Sequence, residues 1–155
     1  MNKKVRDLIL RPLETIKSTF SVRDTAKIMK DKDISSLLVT DDEDRPVGIV
    51  TERDIVRKVV ASDQVEMNEI ISRDIVSFPL ITVSGESPAG VVDELFIENN
   101  IRHLLVTENV EGYDKPLGIL TPLDFIWYRE EFGKKRSEDR DEEIETMLEF
   151  YRYLH

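Results

Sequence analysis

Gly48-Ile49-Val50-Thr51-Glu52-Arg53-Asp54 and Gly118-Ile119-Leu120-Thr121-Pro122-Leu123-Asp124 are one phrase used twice: glycine, two aliphatics, threonine, two variable residues and aspartate. Each copy closes a short apolar run rich in β-branched residues and opens an amphipathic one. Each therefore reads as the end of a strand, a turn and the first turn of a helix. What lies upstream recurs as well, which makes the chain a single unit written twice.

Working outward, Ser36-Leu37-Leu38-Val39-Thr40 and Leu104-Leu105-Val106-Thr107 are continuous apolar runs that predict buried strands. Between them and the glycines lie polar turns, Asp41-Asp42-Glu43-Asp44-Arg45-Pro46 in the first copy and a longer loop in the second. Thr15 precedes Ile34 by 19 residues and Thr82 precedes Ile101 by 19. Pro12-Leu13-x-Thr15 echoes Pro79-Leu80-x-Thr82, so a brief strand is expected at each threonine. Ser21, with Asp24 three residues on, predicts a capped helix over 22–31. Its counterpart is expected to be capped by Ser87, with Pro88 in the first turn and Val91, Val92, Leu95 and Phe96 facing inward. A short connecting helix is expected between Asp63 and Phe78, with Val65, Ile70 and Ile71 as its apolar positions. The expected division is residues 1–62 for the first repeat, 63–133 for the second and 134–155 for a terminal amphipathic helix. In that helix Ile144, Met147, Leu148, Tyr151 and Leu154 form one stripe. It would pack on its own module, on a second copy or on a separate partner.

Composition narrows the function classes. The chain has 155 residues, a formal net charge of -10, no cysteine and two histidines. The acidity argues against a nucleic-acid partner, and the absence of cysteine argues against disulfides, thiolate nucleophiles and zinc-cysteine sites. No metal site is expected. Residues 1–62 carry 13 basic and 11 acidic side chains, so a small anion would be met by a local cluster and not by the global field. No apolar run approaches the roughly 20 residues of a membrane span, and the N-terminus has no signal-peptide pattern. A cytoplasmic location without membrane insertion is the expectation. No serine sits in a nucleophile-elbow context and no Gly-rich Walker loop is present, so an enzyme is not expected.

The order strand, helix, strand, strand, helix, with Gly-h-h-Thr-x-x-Asp at the last strand-to-helix turn and repeated in tandem, closely resembles the CBS domain pair, or Bateman module, over roughly residues 5–130. The resemblance implies an α/β (α+β) fold of two β-α-β-β-α repeats packed with pseudo-two-fold symmetry, with the C-terminal helix added. It also implies clefts that bind adenosine-containing ligands: AMP, ADP, ATP or, in some members, S-adenosylmethionine. Such a ligand would be regulatory, with no cofactor required. A homodimer and an effector protein are the implied partners.

In the family each cleft takes Thr and Asp from one repeat and the strand starts from the other. One cleft would then combine Thr51, Arg53 and Asp54 with Thr82, Arg102 and His103. The other would combine Thr121 and Asp124 with Thr15, Ser35 and Ser36. Chemistry gives each a role: unpaired N–H groups at a helix start favour phosphate, aspartate accepts from ribose hydroxyls, and arginine offers a planar phosphate partner. The two arginines and the histidine favour the first cleft. Thr-x-x-Asp is also a capping box, and Thr121 followed by Pro122 suits capping alone. His103 reads equally as a partly buried strand histidine, and Lys17 reads as a solvated lysine. A ligand-free dimerisation or interaction scaffold is the competing function.

Overall fold

The computed structural model describes residues 3–62, 70–77 and 80–132, together with Glu149. The stripe expected in the terminal helix and Val65 of the connecting segment lie outside these residues. The chain forms two compact units, Leu13–Leu80 and Met1–Pro12 with Ile81–His155.

In the first of these, β1 (Thr15–Lys17) runs parallel to β2 (Ser36–Thr40), and β2 is antiparallel to β3 (Pro46–Thr51), giving the order β1-β2-β3. The parallel step requires a crossover, supplied by α1 (Val22–Lys32). The Ser21 hydroxyl accepts from the Asp24 amide at 3.1 Å, as expected for its N-cap. The helix stops at Asp33, which adopts the left-handed conformation at φ 52°. α2 (Glu52–Lys58) follows β3 at once, and α3 (Ser72–Ile75) closes the unit. The core gathers Ile16, Val22, Leu37, Val39, Val50, Val59 and Ile75.

The other unit repeats the plan. β4 (Thr82–Ser84) pairs parallel with β5 (Leu104–Val110), and β5 is antiparallel to β6 (Tyr113–Leu120). α4 (Val92–Glu98) makes the crossover and α5 (Pro122–Phe132) follows β6. The hairpin is longer here, as its loop length predicts, and turns through Glu111 and Gly112 at φ 52° and 85°. α4 departs from expectation. It is preceded by a 3-10 turn at Ala89–Val91 and has no side-chain cap, while the Ser87 carbonyl accepts from the Val5 amide at 2.9 Å. The backbone before α4 is thus engaged by residues from the start of the chain, and Lys4 bridges Pro88.

That engagement is the main feature of the architecture. Val5–Leu8, a 3-10 turn ahead of the first repeat, belongs to the unit built from the second, with Val5 and Leu8 at 0% exposure beside Val83, Phe96 and Leu120. Conversely α3, which leads into the second repeat, packs in the unit of the first, where the Ile75 side chain joins Val22 and Val50. Sequence order separates the repeats near residue 62, whereas packing hands each lead-in to the other repeat. The two lead-ins are themselves copies, Val5-Arg6-Asp7-Leu8 and Ser72-Arg73-Asp74-Ile75. In both, the aspartate accepts from the backbone N–H three residues earlier, Lys4 at 2.9 Å and Ile71 at 3.3 Å.

The repeated glycines receive these segments. A Cβ on Gly48 would stand 2.9 Å from the Val76 Cβ, and one on Gly118 would stand 2.8 Å from the Ile9 Cγ2. Only a residue without a side chain lets the exchanged segment lie this close to the strand.

Candidate functional site

The Thr-x-x-Asp turns sit where β3 passes into α2 and where β6 passes into α5. Thr51 is extended, at φ -123° and ψ 161°, and is the N-cap of α2; its Oγ1 accepts from the Asp54 amide at 3.1 Å. Asp54 reaches back, its Oδ2 accepting from the Thr51 amide at 3.0 Å and from the Thr51 hydroxyl at 2.7 Å. The capping box is therefore real in the first copy, and both residues take part in it. In the second copy Asp124 Oδ2 accepts from the Thr121 amide and hydroxyl, each at 2.8 Å. Both aspartates are buried, at 7% and 6% exposure, so each carboxylate is held in one orientation by its own turn.

The outer oxygens differ. Asp54 Oδ1 accepts from the Ser77 hydroxyl at 2.7 Å and lies 2.8 Å from the Lys58 ammonium. Lys58 also donates to the carbonyls of Ile75 at 2.8 Å and Val76 at 3.2 Å, so α2 is tied to the exchanged segment through Asp54 and Lys58 together. Burial works to raise the Asp54 carboxyl. The hydrogen bonds from Lys58, Ser77 and Thr51 outweigh it, and the group lies below its ordinary value. Among the described residues, Asp124 Oδ1 meets the Arg11 guanidinium at 3.5 Å, beyond the usual range of an N–H···O bond, and the Arg11 side chain is 62% exposed.

The other expected site residues are described within their own units. In the first, Ser36 is the register partner of Thr51, the Ser35 carbonyl accepts from the Glu52 amide at 3.0 Å, and Thr15 is opposite Leu38. Ser35, Ser36 and Thr51 thus share one end of the sheet, with Arg53 half-buried in α2. In the second, Leu104 pairs with Leu120, which brings Arg102 and His103, both half-buried, to the strand end from which Thr121 leaves. Thr82 is exposed, opposite Leu105. Lys17 is an anchor for the β2–β3 turn: its ammonium donates to the Asp41 carbonyl at 2.8 Å and to Asp44 Oδ1 at 2.6 Å.

Sequence reasoning missed Lys58, Ser77 and Arg11. Lys58 carried a signal, since it stands four residues after Asp54 on a helix. Ser77 and Arg11 are 23 and 113 residues from the carboxylates they approach, and no local pattern marks them. Among the described residues there is no cluster of His, Cys, Asp or Glu able to hold a metal ion, and no helix long and apolar enough to cross a membrane.

Comparison with known proteins agrees with the fold. The family model described as CBS domain matches residues 5–61 and again 71–131. An uncharacterised protein of Methanopyrus kandleri is 33% identical over 122 residues, which are 79% of this chain and 60% of that protein. The chain spans 60%, 31% and 22% of the lengths of three relatives that it matches. Among solved structures, an uncharacterised conserved protein from Pyrococcus horikoshii is 29% identical with a TM-score of 0.71, covering 89% of this chain and 97% of the other. A CBS domain pair solved in complex with 5'-methylthioadenosine and S-adenosyl-L-methionine is 26% identical, also with a TM-score of 0.71, over 88% of this chain and 100% of that one.

Proposed function

Because the chain belongs to the CBS-domain family, matched in both of its repeats, we propose that it is a regulatory module that binds an adenosine-containing ligand and passes its occupancy to a partner protein. The observation that carries this reading is the pair of Thr-x-x-Asp turns, each with a buried carboxylate fixed by its own threonine. A buried, oriented carboxylate is an acceptor suited to the paired hydroxyls of a ribose. The solved relative with methylthioadenosine and S-adenosyl-L-methionine supports the ligand class. AMP, ADP and ATP are the first candidates, drawn by the half-buried Arg53 and Arg102, and S-adenosylmethionine is the alternative. The residues proposed to contact ligand are Thr51, Arg53, Asp54, Thr82, Arg102 and His103, and Thr121, Asp124, Thr15, Ser35 and Ser36.

Signalling would follow from differential affinity: a ligand that binds one arrangement of the protein more tightly than another shifts the balance between them. The module would work in the cytoplasm as a homodimer. The apolar residues that α2 and α5 leave exposed support the dimer: Val56 at 55%, Leu123 at 37% and Trp127 at 63%. These same residues favour the second reading, a ligand-free scaffold whose business is association.

Thermal-shift and calorimetric titration with AMP, ADP, ATP and S-adenosylmethionine separates the two. A ligand at 100 times its dissociation constant adds about 2.7 kcal/mol of stability, easily seen in a melting curve. Stabilisation by one of these ligands supports the sensor. No response at millimolar concentration, with a dimer by light scattering, supports the scaffold.

A further inference from the structure

The two Thr-x-x-Asp carboxylates are built alike and used differently. An ionised carboxylate offers about four lone-pair positions. Asp54 has four donors in place: the Thr51 amide and hydroxyl on one oxygen, and Ser77 and Lys58 on the other. Asp124 has the same two inner donors, but its outer oxygen has the Arg11 guanidinium at 3.5 Å from a mostly exposed side chain. The difference is written in the chain. At the helix position of Lys58 the second copy has Tyr128, and at the lead-in position of Ser77 it has Leu10.

Resting on the adenosine-ligand reading above, we infer that Lys58, with Ser77, occupies Asp54 from within and so decides which turn takes the ligand: Asp54 serves the fold, and Asp124 receives the ligand hydroxyls. A ribose reaching Asp54 would have to displace an ammonium that is also bonded to two backbone carbonyls, and those carbonyls would lose their donor. At Asp124 it would displace one long contact to a solvated guanidinium. The charge of Arg53 is then not the deciding factor, because Asp54, the acceptor next to it in the chain, is already satisfied.

The test is calorimetric titration of the full chain with AMP, ATP and S-adenosylmethionine, in the wild type and in the Lys58→Met, Ser77→Ala, Asp54→Asn and Asp124→Asn variants. The expected result is one equivalent bound by the wild type, at least tenfold weaker binding in Asp124→Asn, and a second binding event in Lys58→Met. Ser77→Ala removes one outer donor while keeping the ammonium, and a weaker second event is expected there; it serves if Lys58→Met does not fold. Two equivalents bound by the wild type, or binding lost in a folded Asp54→Asn and kept in Asp124→Asn, would overturn the inference while leaving the sensor intact. Failure of both outer-donor variants to gain a binding event would do the same. No heat with any ligand in the wild type or in Lys58→Met removes the adenosine reading, and this assignment with it.

Discussion

At the level of single residues, Gly48 and Gly118 do the same job against different neighbours. At Gly48 the atom in the way is the Val76 Cβ, fixed to its backbone, whereas at Gly118 the obstruction is the Ile9 side chain, with Cγ2 at 2.8 Å and Cδ1 at 3.0 Å. Gly48→Ala should therefore cost about 2–3 kcal/mol and Gly118→Ala nearer 1 kcal/mol, within the range for overpacked positions. Urea denaturation measures both. Adding Ile9→Ala to Gly118→Ala removes the three nearest atoms, Ile9 Cγ2, Cδ1 and Cγ1, so the double variant should be less destabilised than the sum of the singles. A second pair of positions shows the same plan met by different chemistry. Thr25 and Ser72 are both fully buried with their hydroxyls 2.7 Å apart, and they also reach the carbonyls of Ser21 and Phe20 at 2.9 and 3.0 Å. Two protons thus serve three contacts. The corresponding places in the other unit hold Val92 and Val5, at 0% exposure. Replacing Ser72 alone by valine should cost about 1–3 kcal/mol, because Thr25 loses one of its two partners and the Phe20 carbonyl loses a hydroxyl donor, while Thr25→Val with Ser72→Val should come close to neutral by thermal melting.

At the level of elements, α2 is held to the exchanged segment by charge, and that makes its anchorage sensitive to acid. The Asp54 carboxyl is lowered in the folded chain. Its contribution to stability is present above the ordinary aspartate value of about 3.9 and is lost as pH falls through the lower folded value. Lys58→Met should therefore lower the melting temperature at pH 7, and the gap from wild type should narrow below about pH 4. A gap that is constant from pH 7 to pH 2 would exclude the ion pair as its cause. Elements were also the scale at which sequence was most readable. The tandem glycine phrase marks strand end, turn and helix start because each residue answers a local demand: close approach at glycine, capping at threonine and aspartate. Ser21 was legible for the same reason. Ser87 was not, since what occupies the backbone before α4 is Val5, 82 residues away in the chain. The Thr51/Asp54 and Thr121/Asp124 turns were likewise legible as turns, but the unequal use of their outer oxygens depends on Ser77 and Arg11, which only folding brings near.

Across the whole molecule, the exchange of lead-ins sets which parts stand or fall together. Residues Leu13–Leu80 form one contiguous unit, whereas the other needs both the first residues and those after Ile81. Removing residues 1–9 strips Val5 and Leu8 from the core of Phe96 and Leu120. Two fully buried aliphatic side chains are worth about 1.5–3 kcal/mol each. Hydrogen exchange should then show protection lost in β4, β5 and α4 and retained in β2 and β3. Uniform loss across both sheets would mean that the units do not unfold separately.

Two repeats that each lend a segment to the other have the connectivity of a swapped dimer made from a single repeat. Here one covalent chain carries out the swap. The loan is repaid within the molecule, at an effective concentration set by the connecting chain and typically in the millimolar range for short tethers. Dilution, which would dissociate a swapped pair of separate repeats, leaves this exchange in place. Each unit's fold is thereby independent of protein concentration even though neither repeat completes its own core.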